Sequence, residues 1–344
     1  MVRTSSSSLH TSSLPAERIA VIAYPGGIGD VLCQLPFLRA LRAAYPEAHI
    51  SWLTDGGPSR YPYSPVHELT ATCLDAALEH LSLGRHTADL WKPRHDFERF
   101  CLVLDLRSRW RPALIARWRV PHRYFLSYAT NYLFSDRKPR GSRKPPVHGQ
   151  ERMLQLVELA SGKKADTGKI SLPDMFIETW RPHFTPGISY VGFVPGAGDK
   201  RKIWPLENYL AVANQLQAQG HVPAFILGPQ ETDLQEAILA QCPQALFPLQ
   251  ALAASGIEPQ LEHTIALAGF LSIVVTNDNG TSHMLAAGDS NMVSLFGRTS
   301  WRKLAPKVSH GTVVASEFFG SDAITDIPVD AVISAVNALL AKHP

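Results

Sequence analysis

The chain has 344 residues, of which 45% are hydrophobic and 18% charged, with a formal net charge of +3. That length suits two α/β domains rather than one, and the composition excludes a disordered polypeptide. The net charge is too small to mark a nucleic-acid-binding protein, and Cys33, Cys73, Cys101 and Cys242 form no C-x-x-C pair, so they read as reduced thiols of a cytoplasmic protein.

Residues 1–17 are rich in Ser and Thr and lack the apolar stretch of a secretory signal, so a disordered tail is expected there. No apolar run reaches the ~18 residues that cross a bilayer, which leaves peripheral contact as the form any membrane association would take. Order begins at Arg18 to Tyr24, a short apolar run that predicts a buried strand. The glycine turn Pro25-Gly-Gly-Ile-Gly-Asp30 follows, then Leu32, Leu35, Leu38 and Leu41 at helical spacing. Ile50 to Leu53 and Phe100 to Asp105 predict further strands, the latter leading into the basic stretch Arg107 to Arg119. Arg137 to His148 holds Arg137, Lys138, Arg140, Arg143 and Lys144, three prolines and no acid, and predicts a loop. Gln150 to Ser161 is helical, and Gly162 to Pro186 reads as a connection between domains.

The pattern then restarts. Tyr190 to Val194 predicts a strand, Pro195 to Pro205 a loop, Leu206 to Gln219 a helix, and His221 to Leu227 a strand. Asp233 to Gln241 is helical. Leu271 to Thr276 is a strand running into Asn277-Asp-Asn-Gly-Thr281, and Asn291 to Phe296 another. Val329 to Ala341 forms a terminal helix. Strand–turn–helix units in this order predict parallel sheets with right-handed crossovers. The organisation expected is a tail (1–17), a Rossmann-like domain (18–165), a linker (166–187), a second Rossmann-like domain (188–327), and a terminal helix (328–344) that packs back on the first domain. A ligand cleft between the two domains is expected, because every glycine turn falls at the carboxyl end of a strand.

Three turns offer chemistry. Gly26-Gly-Ile-Gly-Asp30 fails as a dinucleotide fingerprint, since Leu32 stands where the last glycine should be. It supplies a carboxylate at a helix start, either as an ordinary cap or as a catalytic group. Val194 to Pro205 contains Lys200, Arg201 and Lys202, a solvated basic loop or a phosphate grip. Asn277 to His283 places the amides of Gly280, Thr281 and Ser282 at a helix start, a tight turn with a cap or a pyrophosphate site. No two aspartates stand two apart, so a D-x-D metal site is missing. There is no G-x-S-x-G, Walker or H-E-x-x-H motif, and the histidines show no ligand spacing, so no metal and no cofactor is expected.

In this order the motifs resemble glycosyltransferase family 9, the heptosyltransferases of lipopolysaccharide core assembly. The landmarks are G-I-G-D-V-L-C-Q-L-P-F-L-R-A-L-R (27–42), L-V-L-D-L-R (102–107), V-P-G-A (194–197), K-I-W-P (202–205), L-G-P-Q-E-T (227–232), N-D-N-G-T-S-H (277–283) and L-F-G-R-T (295–299). The resemblance runs from about Ile19 to the terminal helix. It implies a GT-B fold, with the first domain taking a glycan or glycolipid acceptor and the second a nucleotide sugar, ADP-heptose being the family's usual donor. It implies Asp30 as catalytic base and Lys202 as a contact to the donor phosphate. It further implies Glu231 at the ribose or base, and Asp278, Asn279, Gly280, Thr281 and His283 in the donor site. Asn279 departs from the Ser or Thr usual there, and Gly26-Gly27 from the usual hydroxyl residue. On the acceptor side Gly27, Gly29, Arg107 and Arg109 are expected.

The implied reaction is an inverting, metal-independent displacement. An exposed aspartate titrates near ~3.9 and is a weak base, so the role of Asp30 calls for burial. The basic stretch 137–144 reads either as a solvated loop or as a surface for an acidic acceptor or the anionic cytoplasmic leaflet of the inner membrane. Two rivals stand beside the transferase: a sugar-nucleotide epimerase of the same fold, and a degenerate sugar-nucleotide-binding protein.

Overall fold

Short apolar runs bounded by glycine, proline and aspartate fold into strands buried on both faces, as parallel sheets require. The computed structural model describes residues 12–59, 61, 67–141, 144–168 and 170–342. The chain divides into two units, Met1–Lys169 and Ile170–Pro344.

The first unit contains β1 (Arg18–Ala23), β2 (His49–Asp55), β3 (Ala76–Leu81), β4 (Phe100–Asp105) and β5 (His122–Ser127). They form one sheet in the order β3-β2-β1-β4-β5, with every pair parallel. Ile19 pairs with Ile50 on one side and Leu102 on the other. The chain moves outward from β1 to β3, then returns to β4, so the order reverses between β1 and β4. Such a reversal opens a crevice at the carboxyl ends of those two strands. The Ile28–Ala44 helix starts in that crevice and buries Val31, Leu35, Leu38 and Leu41.

Residues 12–17, expected to belong to a disordered tail, are held by the fold. Leu14 is buried, and its amide donates to Ala160 O at 2.8 Å. Arg137 holds the same segment, donating to Ser12 O and Leu159 O at 2.7 and 3.1 Å. Residues 12–17 are therefore part of the fold, because a buried leucine and a multiply bonded guanidinium tie them down; residues 1–11 lie outside the described residues. Arg137 is thereby removed from the solvated or ligand-binding role predicted for stretch 137–144, and Arg143 lies outside the described residues.

The second unit contains β6 (Tyr190–Val194), β7 (Val222–Phe225), β8 (Ile273–Asn277), β9 (Met292–Phe296) and β10 (Gly311–Ala315). The sheet runs β10-β9-β8-β6-β7, again wholly parallel, and reverses between β6 and β8. Part of the predicted linker belongs here. Phe176, Trp180 and Phe184 are core residues, and Trp180 Nε1 donates to His263 O at 2.8 Å. The Val329–Leu340 helix packs in the core of this unit. Its apolar stripe, Val332, Ile333, Val336 and Leu339, fills the core beside Val191, Phe193 and Val212. Among the described residues no helix is long and apolar enough to cross a membrane.

Candidate functional site

The reversal between β6 and β8 is where a parallel sheet offers a ligand its crevice, and the side chains there are locked together. Asn277 ends β8. Its Nδ2 donates to Pro195 O at 2.8 Å, and its Oδ1 accepts from Trp204 N at 3.2 Å and Tyr209 OH at 2.9 Å. One fully buried amide therefore clips the loop after β6 to the loop after β8. Asn279 repeats the device one step further out. Its Oδ1 caps the Gly280–Ala287 helix by accepting from Ser282 N at 2.7 Å, while its Nδ2 donates to Gly196 O. Asparagine suits both tasks at once, since it carries an acceptor and a donor on one rigid amide.

Between those clips stand the charged groups. Lys202 Nζ donates to Asp278 Oδ2 at 2.7 Å. Asp278 is buried, and a buried carboxylate needs such a partner. The pair fixes the ammonium beside the helix start and leaves two of its three N–H donors for a ligand. Helix geometry leaves the amides of Gly280 and Thr281 without an intrahelical acceptor, and the space a side chain at Gly280 would take is open. Together these make a site for an anion. Of the other predicted cations, Arg201 turns to Asp199 at 2.7 Å, whose carboxyl drops to about 2 through that hydrogen-bonded pairing; Lys200 is exposed.

Glu231 closes the group. Its carboxylate occupies the space that a side chain at Gly196 would fill, and lies 2.7 Å from where a Cβ at Gly228 would stand. The absence of side chains at those two glycines makes room for the carboxylate where it lies, and a methyl group at Gly196 would displace it. Lys202, Glu231, Asp278, Asn279, Gly280 and Thr281 thus share one sheet edge, with His283 half-buried further along the helix. The sequence pointed to all seven. It missed Asn277, which stood in the same motif and betrayed itself only by being an amide where a parallel strand ends.

In the first unit Asp30 lies on the first turn of the Ile28–Ala44 helix, just past β1. Its Oδ2 accepts from Gly27 N at 2.9 Å, which gives Gly27 a share in placing the carboxylate. A Cβ at Gly26 would stand 2.7 Å from Asp30 Cβ, so that glycine makes room for it. The burial expected of Asp30 is not found within its unit, where the side chain is exposed because it caps the outer end of a helix. Gly29 immediately precedes Asp30 in the same turn, and Arg109 stands exposed at the start of the Trp110–Arg119 helix.

Arg107 does not belong to the acceptor side. Its side chain is fully buried between two buried carboxylates. Nε and Nη2 bind Asp105 at 2.8 and 3.0 Å, Nη1 binds Asp55 Oδ2 at 2.9 Å, and the carbonyls of Leu83 and Pro112 take the rest at 2.9 Å each. All five donors are used, so none is left for a ligand. Burial pulls the Arg107 pKa down, and the charge and hydrogen bonds of Asp105 outweigh it, so the net shift is upward. Burial lifts the Asp55 carboxyl above its ordinary value. Sequence reasoning took Arg107 for one member of a basic run; Asp55, lying far along the chain, gave no local signal.

Comparison with known proteins adds a family and a fold to this geometry. The pattern of glycosyltransferase family 9 (heptosyltransferase) matches residues 96–321. The chain is 26% identical over 322 residues to lipopolysaccharide heptosyltransferase 2 of Salmonella typhimurium, covering 85% of this chain and 86% of that protein. Two solved structures share the fold: a glycosyl transferase family 9 protein from Veillonella parvula (TM-score 0.65, 20% identity, 96% and 99% of the two chains) and the E. coli ADP-heptose lipopolysaccharide heptosyltransferase II (TM-score 0.59, 19% identity, 94% and 99%). The fold is α/β, with two Rossmann-like units of the GT-B class, as the resemblance implied.

Proposed function

Since the chain belongs to glycosyltransferase family 9, we propose that it moves a heptose from ADP-heptose onto a hydroxyl of a lipopolysaccharide core, with inversion and without a bound metal. The donor and acceptor classes rest on the relatives, one named a lipopolysaccharide heptosyltransferase and one named an ADP-heptose lipopolysaccharide heptosyltransferase.

The observation that carries the donor side is the Lys202–Asp278 pair beside the uncapped amides of Gly280 and Thr281. In this reading the diphosphate lies against those amides, and Lys202 neutralises charge as it grows on the leaving ADP. Glu231 accepts from the ribose hydroxyls. Asp30 takes the proton of the acceptor hydroxyl as that oxygen bonds to the anomeric carbon, while the bond from that carbon to the β-phosphate oxygen breaks and ADP keeps the electron pair. Arg109, Gly27 and Gly29 are assigned to the acceptor side.

The test is ADP release from ADP-heptose by the purified chain, with and without a lipopolysaccharide core acceptor. Acceptor-dependent release that survives EDTA is expected, and Asp30→Asn lowers it by about 10²–10⁴-fold while ADP still binds. Undiminished turnover by Asp30→Asn removes the base. Donor consumption without acceptor replaces transfer by epimerisation, and loss of turnover in EDTA refutes the metal-free displacement.

A further inference from the structure

Three of the seven tryptophans are exposed, and they stand on one face of the first unit: Trp91 at 84%, Trp110 at 58% and Trp118 at 53%. The Trp110–Arg119 helix buries Pro112, Ala113, Ile115 and Ala116 against its own unit. Trp110, Leu114 and Trp118 are spaced by four, so they form one line along its outer side. The Thr87–Trp91 turn and the residues after it run beside that line. Arg111 Nη1 donates to Thr87 Oγ1 at 3.0 Å near one end, and Arg94 stacks 4.5 Å above the Trp118 ring at the other. Leu90 and Trp91, both exposed, fall between those ties. The result is a pre-organised apolar strip about two helical turns long.

Its charge is one-sided. Residues 85–94 and 108–119 contain a single acid, Asp89, which is buried and paired with Lys92 at 2.9 Å. Arg85, Arg94, Arg109 and Arg111 are exposed around the strip. A second copy of this chain docked symmetrically here would set arginine against arginine, which is repulsive. An anionic lipid leaflet answers both features, since indole rings settle at the headgroup boundary and arginines attract the surface charge.

We propose that this strip of Leu90, Trp91, Trp110, Leu114 and Trp118, fringed by arginine, seats the protein on an anionic phospholipid surface. It deepens the reading of a glycolipid acceptor, on which it rests, by placing the enzyme where such an acceptor is anchored, and it assigns that contact to this face rather than to stretch 137–144.

The experiment is sedimentation of the full chain with extruded vesicles of phosphatidylcholine alone or of an equimolar phosphatidylcholine–phosphatidylglycerol mixture, without donor or acceptor. Binding to the mixed vesicles is expected, weakened by salt and accompanied by a blue shift of tryptophan emission. At about 1 kcal/mol per basic residue, Arg94→Gln with Arg111→Gln lowers partitioning by about 30-fold. Trp91→Ser, Trp110→Ser and Trp118→Ser together abolish it, while the folded melting transition and turnover on detergent-dispersed acceptor persist. Four results overturn the proposal: no binding to the mixed vesicles, equal binding to the neutral ones, undiminished binding by the variants, or a dimer in solution that the triple variant dissolves. Because vesicle binding needs no donor, its failure is distinguishable from failure of the transfer reaction.

Discussion

Replacing Arg107 by methionine tests whether the guanidinium is a structural keystone or an acceptor ligand. The substitution keeps length and removes five hydrogen bonds in one step, leaving the fully buried carboxylates of Asp55 and Asp105 without a counter-charge. Breaking a buried pair by deleting one partner costs about 3–5 kcal/mol, a third or more of an ordinary domain's stability. Urea unfolding followed by circular dichroism reads that loss as a lower midpoint with an unchanged slope. The sign of the pH dependence follows from Asp55, whose carboxyl is already lifted by burial while Arg107 opposes the lift. Without Arg107 it rises further, so the folded variant binds protons that the unfolded chain does not. Stability gained that way is present at low pH and lost as pH rises through the folded pKa. The variant's deficit therefore shrinks as pH falls from neutral into the acid range. A loss below about 1 kcal/mol, or a raised acceptor KM in a variant of normal stability, would return Arg107 to the acceptor side.

Other substitutions separate positioning from folding in the second unit and probe the first. Gly196→Ala puts a methyl group where the Glu231 carboxylate lies; the flexible side chain swings away, so the melting temperature barely moves while ADP affinity, by calorimetry, falls about tenfold or more. Asn279→Ala loses the helix cap and the tie to Gly196 O together, costing about 1–2 kcal/mol in urea unfolding, whereas Asn279→Asp keeps the cap and most of that stability. Burial favours the neutral form of Asp136, but its hydrogen bonds to Arg117 and Phe125 N outweigh that and hold its carboxyl below the usual range. Its contribution is thus present above the unfolded pKa and lost as pH falls through the folded one. Asp136→Asn should destabilise by about 1–2 kcal/mol at neutral pH and by nothing in strong acid, and an equal loss at both would refute the pairing.

The strands written as continuous apolar runs, β1, β2, β4, β6, β8 and β9, were legible because a parallel strand buried on both faces must be apolar throughout. Of the edge strands β7 was predicted and the other three were not. Ala76 to Leu81 is half-buried and mixed in character, His122 to Ser127 opens with His and Arg, and Gly311 to Ala315 is short. The residues gathered at the carboxyl edge of the second sheet were readable because each sits on a strand–turn–helix step, and the turn chemistry names the edge. What could not be read was partnership at a distance. Arg107 meets Asp55 only because β2 and β4 flank β1, and Glu231 meets Gly196 only because β6 and β7 are neighbours. Leu14 was misplaced for a similar reason: its apolar side chain promised burial without saying against what.

Calorimetric titration of ADP into the full chain and into Lys202→Met addresses the donor grip directly. A charge-assisted hydrogen bond to phosphate is worth about 1.5–3 kcal/mol, so the variant should bind about ten- to a hundredfold more weakly with its fold intact. Equal dissociation constants for the two proteins would contradict the placement of the diphosphate against Lys202 and the start of the Gly280–Ala287 helix.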